Sequence, residues 1–256
     1  LWKKEEHFFC ERIAESNEFV TGKELSGYAP WAFSLVPDEE EFSAAFSYMT
    51  TDNGFLSKFG LTSLERNSPH YMQGFSHSCL WNGPVWPFAT SQTLTALANY
   101  LDQTREGATI PANSWFAHFK TYAQSHYFHG RPYIGEYLDE VTGYWLKGEQ
   151  ERSRYYNHST FNDLVITGLV GLRPQTDNRI TINPLVPAKE WDYFCLDNIR
   201  YKGHNLTIAW DRHGTRYRQG KGLHVWLDGK LIGHRPTLGP LSCDIPNDTH
   251  TLETNM

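Results

Sequence analysis

The chain has 256 residues, enough for one large domain or two ordinary ones with a buried core. Its net charge of −6 is spread without a long run of either sign, which argues against nucleic acid or an anionic membrane as the main partner. Aromatic residues make up 15 % and include nine tryptophans, a supply suited to an aromatic-rich core or to a cleft whose rings stack on the apolar C–H faces of sugars.

The sequence carries no signal peptide and no apolar run of transmembrane length, and the cellular compartment stays open. It opens in mid-pattern on LWKKEEHFFCERI, without an initiator methionine, so a piece of a longer protein is expected. Leu1, Phe8, Phe9 and Ile13 predict a helix over residues 1–15. After Pro37, the acids of DEEEFSAAFSYM suit a helix N-terminus, and Phe42, Ala45, Phe46 and Met49 follow at helical spacing. Leu94, Leu97, Ala98 and Leu101 mark a helix after Pro87, and Asn113 is the expected cap of one carrying Phe116, Phe119, Tyr122 and Ala123. Residues 158–171 complete a set of about five, joined by loops long enough to carry function.

From residue 177 the texture changes to short β-branched runs: NRITINPLVP, IRYKGHNLTIAWD, GLHVWLDGKLIG and SCDIP. Asp211, His213 and Gly214 punctuate one turn, and Asp228-Gly229 is a strong hairpin signal. We therefore expect two domains, a helical one over 1–174 and an antiparallel β-sandwich over 175–256. Cys10, Cys79, Cys195 and Cys243 are scattered, with no CxxC and no histidine cluster, so no zinc site or disulfide framework is expected and all four read as buried free thiols.

Glycine-rich phosphate loops, HExxH and GxSxG are all absent, leaving carboxylates set among aromatics. In RPYIGEYLDEVTGYWLKGE, residues 131–149, Glu136 is flanked by Tyr137, a Thr142-Gly143 turn, Tyr144 and Trp145. That setting suits one of the two carboxyl groups of a glycosidase, or a structural acid that accepts backbone N–H groups. Glu24 precedes Tyr28 and Trp31 in GKELSGYAPWAF, where a packing loop is the competing reading. In RYYNHSTFND, Asn157 and His158 could bind sugar hydroxyls, while Asn157 or Ser159 would equally serve as a helix cap. HSCLWNGPVWPF, residues 77–88, places Trp81 and Trp86 among prolines and a glycine just ahead of a helix, as core packing or as the floor of a binding site.

The succession ELSGYAPWAF, LWNGPVWPF, GEYLDEVTG, YNHSTFNDL resembles the second half of an (α/α)6-barrel (six-hairpin) glycosidase. It is most similar to mannosylglycerate-hydrolase-like enzymes and glycoside hydrolase family 63, and more distantly to the family 37 trehalases. Trp81, Asn82, Gly83, Pro84 and Trp86 match the tryptophan loop that lines the sugar subsite in these families; Glu136-Tyr137 with Thr142-Gly143 matches the segment of their catalytic base. The resemblance implies a mainly α fold with a C-terminal β domain, a partial toroid of about half the barrel followed by a β-sandwich. It implies an inverting, exo-type hydrolase of α-linked glycosides with Glu136 as general base, no metal and no cofactor. Trp81, Asn82, Trp86, Tyr28, Trp31, Tyr137, Trp145, Asn157 and His158 would contact the oligosaccharide. The Asp general acid of these families has no counterpart in the 80 residues before Trp81, so it is expected in a missing N-terminal half, with Glu24 a remote second carboxylate. An inverting glycoside phosphorylase and a non-catalytic carbohydrate-binding fragment are the competing expectations.

Overall fold

The computed structural model describes residues 1–74, 79–104, 108–156 and 160–246. It divides into two compact units, Leu1–Leu164 and Val165–Met256. The first is poorer in helix than the sequence predicts. Among the described residues only Pro87–Gln103 and Ala112–Ser125 are long helices, and the others are pieces of no more than six residues, so "mainly α" is replaced by two helices set in aromatic loops.

Residues 1–15 are not a helix. Trp2–Lys3 and Phe8–Phe9 pair as antiparallel strands around a 3-10 turn that ends on His7 with φ of 47°. Adjacent phenylalanines on a strand point to opposite sides: Phe8 goes into the core against Tyr28 and Phe55, while Phe9 meets Trp2 and Trp31. The acidic start after Pro37 gives only Glu40–Ser43 as α-helix before Ala44–Met49 tightens to 3-10.

Pro87 is the first residue of the longest helix; its missing N–H costs nothing there, and its fixed φ suits the helix. The run from Ala89 to Leu101 is buried on most sides, so this helix is a core element and not an amphipathic surface one. Trp115 donates to the Leu94 carbonyl at 2.9 Å and the hydroxyls of Ser91 and Tyr122 lie 2.9 Å apart, which ties the Ala112–Ser125 helix to it. That helix is entered from an extended Pro111, and Asn113 falls inside the first turn instead of capping it. A buried Lys23 ammonium sits 2.6 Å from Glu6 and 2.9 Å from Glu65, anchoring the N-terminal turn.

On the Ala112–Ser125 helix, burial pushes the His118 imidazole down to about 4, against an opposing hydrogen bond to the Met49 carbonyl. An unfolded chain takes up this proton near pH 6.5 and the folded one only near 4, so the stabilisation is complete above pH 6.5 and is lost as pH falls between the two. Denaturant unfolding at pH 7 and about pH 4.5 should show wild type losing on the order of 2 kcal/mol more than His118→Gln. Equal losses would remove His118 as the source.

The predicted helix over 158–171 is Phe161–Leu164 followed by a π-helical stretch, Val165–Val170, and its proposed caps at Asn157 and Ser159 lie outside the described residues. The second unit holds a four-stranded antiparallel sheet of Tyr193–Tyr201, His204–Asp211, Gly222–Leu227 and Lys230–Arg235 in chain order, and a three-stranded sheet with Arg179–Ile182 between Leu172–Arg173 and Leu241–Asp244. Leu206, Ile208 and Trp210 alternate inward towards buried Leu223, Val225 and Leu227. The sheets meet where an added Cβ on Gly233 would lie 2.1 Å from the Cys243 sulphur. Asp228 and Gly229, at φ of 49° and 77°, make the tight turn from Leu227 to Lys230 that their pairing predicts. Asp211 takes four backbone N–H bonds, from His213, Gly214, Arg216 and Tyr217, and these hold its carboxyl below the usual range in spite of burial. Cys10 and Cys243 are buried, but Cys79 and Cys195 are exposed, because Cys195 takes the solvent side of its alternating strand.

Candidate active site

Two segments far apart in sequence are joined by backbone. Val85 and Leu138 exchange hydrogen bonds of 2.9 and 3.0 Å, so the tryptophan loop lies alongside the Glu136 segment. Leu138 also bridges Trp145, and Leu146 donates to the Tyr137 carbonyl at 3.2 Å, closing a hairpin. Its turn is held by Asp139, whose Oδ1 accepts the Thr142 N–H and hydroxyl, both at 2.7 Å, and the Val141 N–H at 3.1 Å. Gly143 is required there: φ is 73°, and a Cβ would lie 2.5 Å from the Phe59 ring.

These pairings build a stack of three rings. Trp81 lies on Trp86 at 3.7 Å between centroids and 11° between planes, and Trp86 on Tyr137 at 4.6 Å and 15°. Trp86, 1 % exposed, donates its indole N–H to the Leu80 carbonyl at 2.6 Å, whereas Trp81 is 45 % exposed and offers its outer face. At the far end the Lys147 ammonium sits 5.2 Å from the Tyr137 ring centroid, 3.1 Å from Glu136 Oε2 and 3.4 Å from Cys79 Sγ. Burial works against the Lys147 charge, yet its hydrogen bonds to Glu136 and Cys79 carry it above the ordinary lysine value. Burial raises the Tyr137 phenol. The result is a carboxylate poised beside an aromatic platform, equipment for moving a proton next to a stacked ring.

Other expected contacts are placed differently. Asn82 spends its amide N–H groups on the carbonyls of His70 and Gln73, at 3.1 and 2.6 Å, which shapes the loop. Tyr28 and Trp31 belong to the aromatic core, Tyr28 donating to the Ala45 carbonyl at 2.7 Å. Trp145 is buried under Gly135 and donates to the Tyr127 carbonyl at 3.1 Å. Glu24 bridges Leu64 through its backbone, and burial together with Glu11 raises its carboxyl. Asn157 and His158 lie outside the described residues.

Lys147 was not singled out in the sequence and Cys79 was expected as a buried thiol, although a lysine as far after the 139–144 loop as Glu136 is before it was a usable signal. A cavity of about 570 Å³ opens among His126, Ile134, Phe161 and Asp163, with Ile134 two residues before Glu136. Burial holds the His126 imidazole below its usual value. Glu140 is a further buried carboxylate that accepts from Tyr71 at 2.9 Å. Among the described residues no group of three or more His, Cys, Asp or Glu is placed to hold a metal ion, and no helix is long and apolar enough to cross a membrane.

Residues 1–159 match the family described as the mannosylglycerate hydrolase MGH1-like glycoside hydrolase domain. The chain belongs to this MGH1-like glycoside hydrolase family. Residues 172–234 of the MGH1-like chain match a second family, the C-terminal domain of glycosyl hydrolase family 65. A solved structure named "Sialidase" is 49 % identical, with a TM-score of 0.90 over 95 % of this chain. The chain spans only 22 % of that structure's length. The GH63 mannosylglycerate hydrolase from Thermus thermophilus in complex with glucose is 20 % identical over 58 % of this chain and 33 % of its own, at a TM-score of 0.43. The chain thus carries a domain of a glycoside hydrolase family, followed by a β domain that matches the glycosyl hydrolase family 65 C-terminal domain.

Proposed function

We propose that the protein containing this chain is an inverting, exo-type hydrolase of α-linked glycosides with Glu136 as general base. Glu136 deprotonates the attacking water. A second carboxyl group, supplied from outside these 256 residues, protonates the leaving oxygen about 6.5–9.5 Å away across the sugar. Residues 1–174 then contribute part of an (α/α)6 toroid, and residues 175–256 its β-sandwich. The open face of Trp81 takes the apolar side of the sugar ring, with Trp86 and Tyr137 as its backing. One observation carries this reading: a mostly buried carboxylate, 11 % exposed, held on an ammonium at the end of a three-ring stack whose outer tryptophan is open.

The test uses the full-length protein on a panel of α-linked disaccharides in phosphate-free buffer, with the released anomer followed by proton NMR. The β-anomer should appear first, with no dependence on phosphate. A first-formed α-anomer would sink the inverting mechanism. A requirement for phosphate would indicate a phosphorylase, and tryptophan quenching by saccharides without turnover a binding protein.

A further inference from the structure

A lysine only 3 % exposed needs an explanation, because taking an ammonium out of water is costly unless a partner compensates. Lys23, also buried, has two carboxylates, Glu6 and Glu65, and serves as an anchor. Lys147 has one. Its partner is fixed by the hairpin: Leu138 bridges Trp145, and continuing that antiparallel register by two residues sets Glu136 opposite Lys147. The ammonium is held from three sides, by Glu136 Oε2 at 3.1 Å, the Cys79 sulphur at 3.4 Å and the Tyr137 ring at 5.2 Å. The ion pair is not needed to close the hairpin, which Asp139 and the backbone bonds already hold.

The two oxygens of Glu136 differ. Oε2 is engaged by the Lys147 ammonium at 3.1 Å, whereas Oε1 accepts from the Cys79 thiol, a weak donor, at 3.9 Å. One oxygen is therefore held by a charged donor, and the other by a weak one that a water can displace.

We propose that Lys147 is the positioning residue of the candidate base, a cross-strand ammonium that fixes Oε2 of Glu136 and so turns Oε1 towards the attacking water. The proposal rests on Glu136 being the base. Among the described residues, Lys147 and Cys79 hydrogen-bond the Glu136 carboxyl group, and Lys147 supplies the positive charge of the two. Without it, Oε2 loses its fixed partner and the carboxyl group its orientation.

The test measures kcat and KM for the full-length protein and its Glu136→Gln, Lys147→Gln and Lys147→Arg variants, using the α-linked disaccharide that wild type hydrolyses fastest. Lys147→Gln should lower kcat about 10²-fold with KM within about threefold. Lys147→Arg keeps a charged donor beside Oε2 and should recover most of that loss. Melting curves identify any variant that has lost its fold. An unchanged kcat in a folded Lys147→Gln, with Glu136→Gln inactive, would overturn the role of Lys147 alone. Full activity in Glu136→Gln would remove the base, and Lys147 with it.

Discussion

Glu136→Gln in the full-length protein is expected to lower kcat by about 10³-fold, with KM changed by no more than a few-fold. General base catalysis contributes roughly 10²–10⁴-fold, and an inverting glycosidase has no second group to activate its water. Glutamine preserves the shape of the side chain, and its amide oxygen can still accept from Lys147, so the hairpin should remain closed and melting should barely change. What is lost is the acceptor at Oε1, where an amide offers N–H or an oxygen of low basicity. A matching fall in kcat and kcat/KM would be the mark of an interaction made only in the transition state. Activity within tenfold of wild type would take Glu136 out of the mechanism.

The second large effect separates two tryptophans five residues apart. Trp86→Ala removes a fully buried indole from between Trp81 and Tyr137 and leaves the Leu80 carbonyl without its 2.6 Å donor. Phe or Trp to Ala in a core costs about 3–5 kcal/mol, and Tm should fall by roughly 6–15 °C. Trp81→Ala removes a ring that is 45 % exposed, so stability should change by no more than about 1 kcal/mol. Its cost should appear in substrate binding, as a KM raised about tenfold, the worth of one good stacking contact. Thermal melting and steady-state kinetics on the two variants decide the matter. If Trp81→Ala is the destabilised one, or if both leave KM unchanged, the platform is packing and nothing more.

Local chemistry was legible where it is self-sufficient. Asp228-Gly229 specifies its own turn, Pro87 its helix start, and the β-branched runs after residue 177 their antiparallel strands, because each signal acts within a few residues. The Glu136 segment stood out by resemblance, and its Thr142-Gly143 turn follows from Asp139 three residues earlier. The N-terminal reading failed for a physical reason. The spacing of Leu1, Phe8, Phe9 and Ile13 fits a helix and a short hairpin about equally, and Phe8 was claimed by the core around Tyr28 and Phe55. Asn113 lost its capping role to Pro111, whose ring sets the entry to that helix.

By itself the sequence determined the composition of the site: tryptophans ahead of a proline-started helix, a glutamate before a Thr-Gly turn, and strands afterwards. Only the tertiary structure decided which tryptophan is wall and which is surface, since both have the same local setting and differ in that Trp86 has Tyr137 on its inner side. Burial depends on segments brought together from some fifty residues apart in the chain, here Val85 with Leu138, and no local pattern encodes which face each turns to the other.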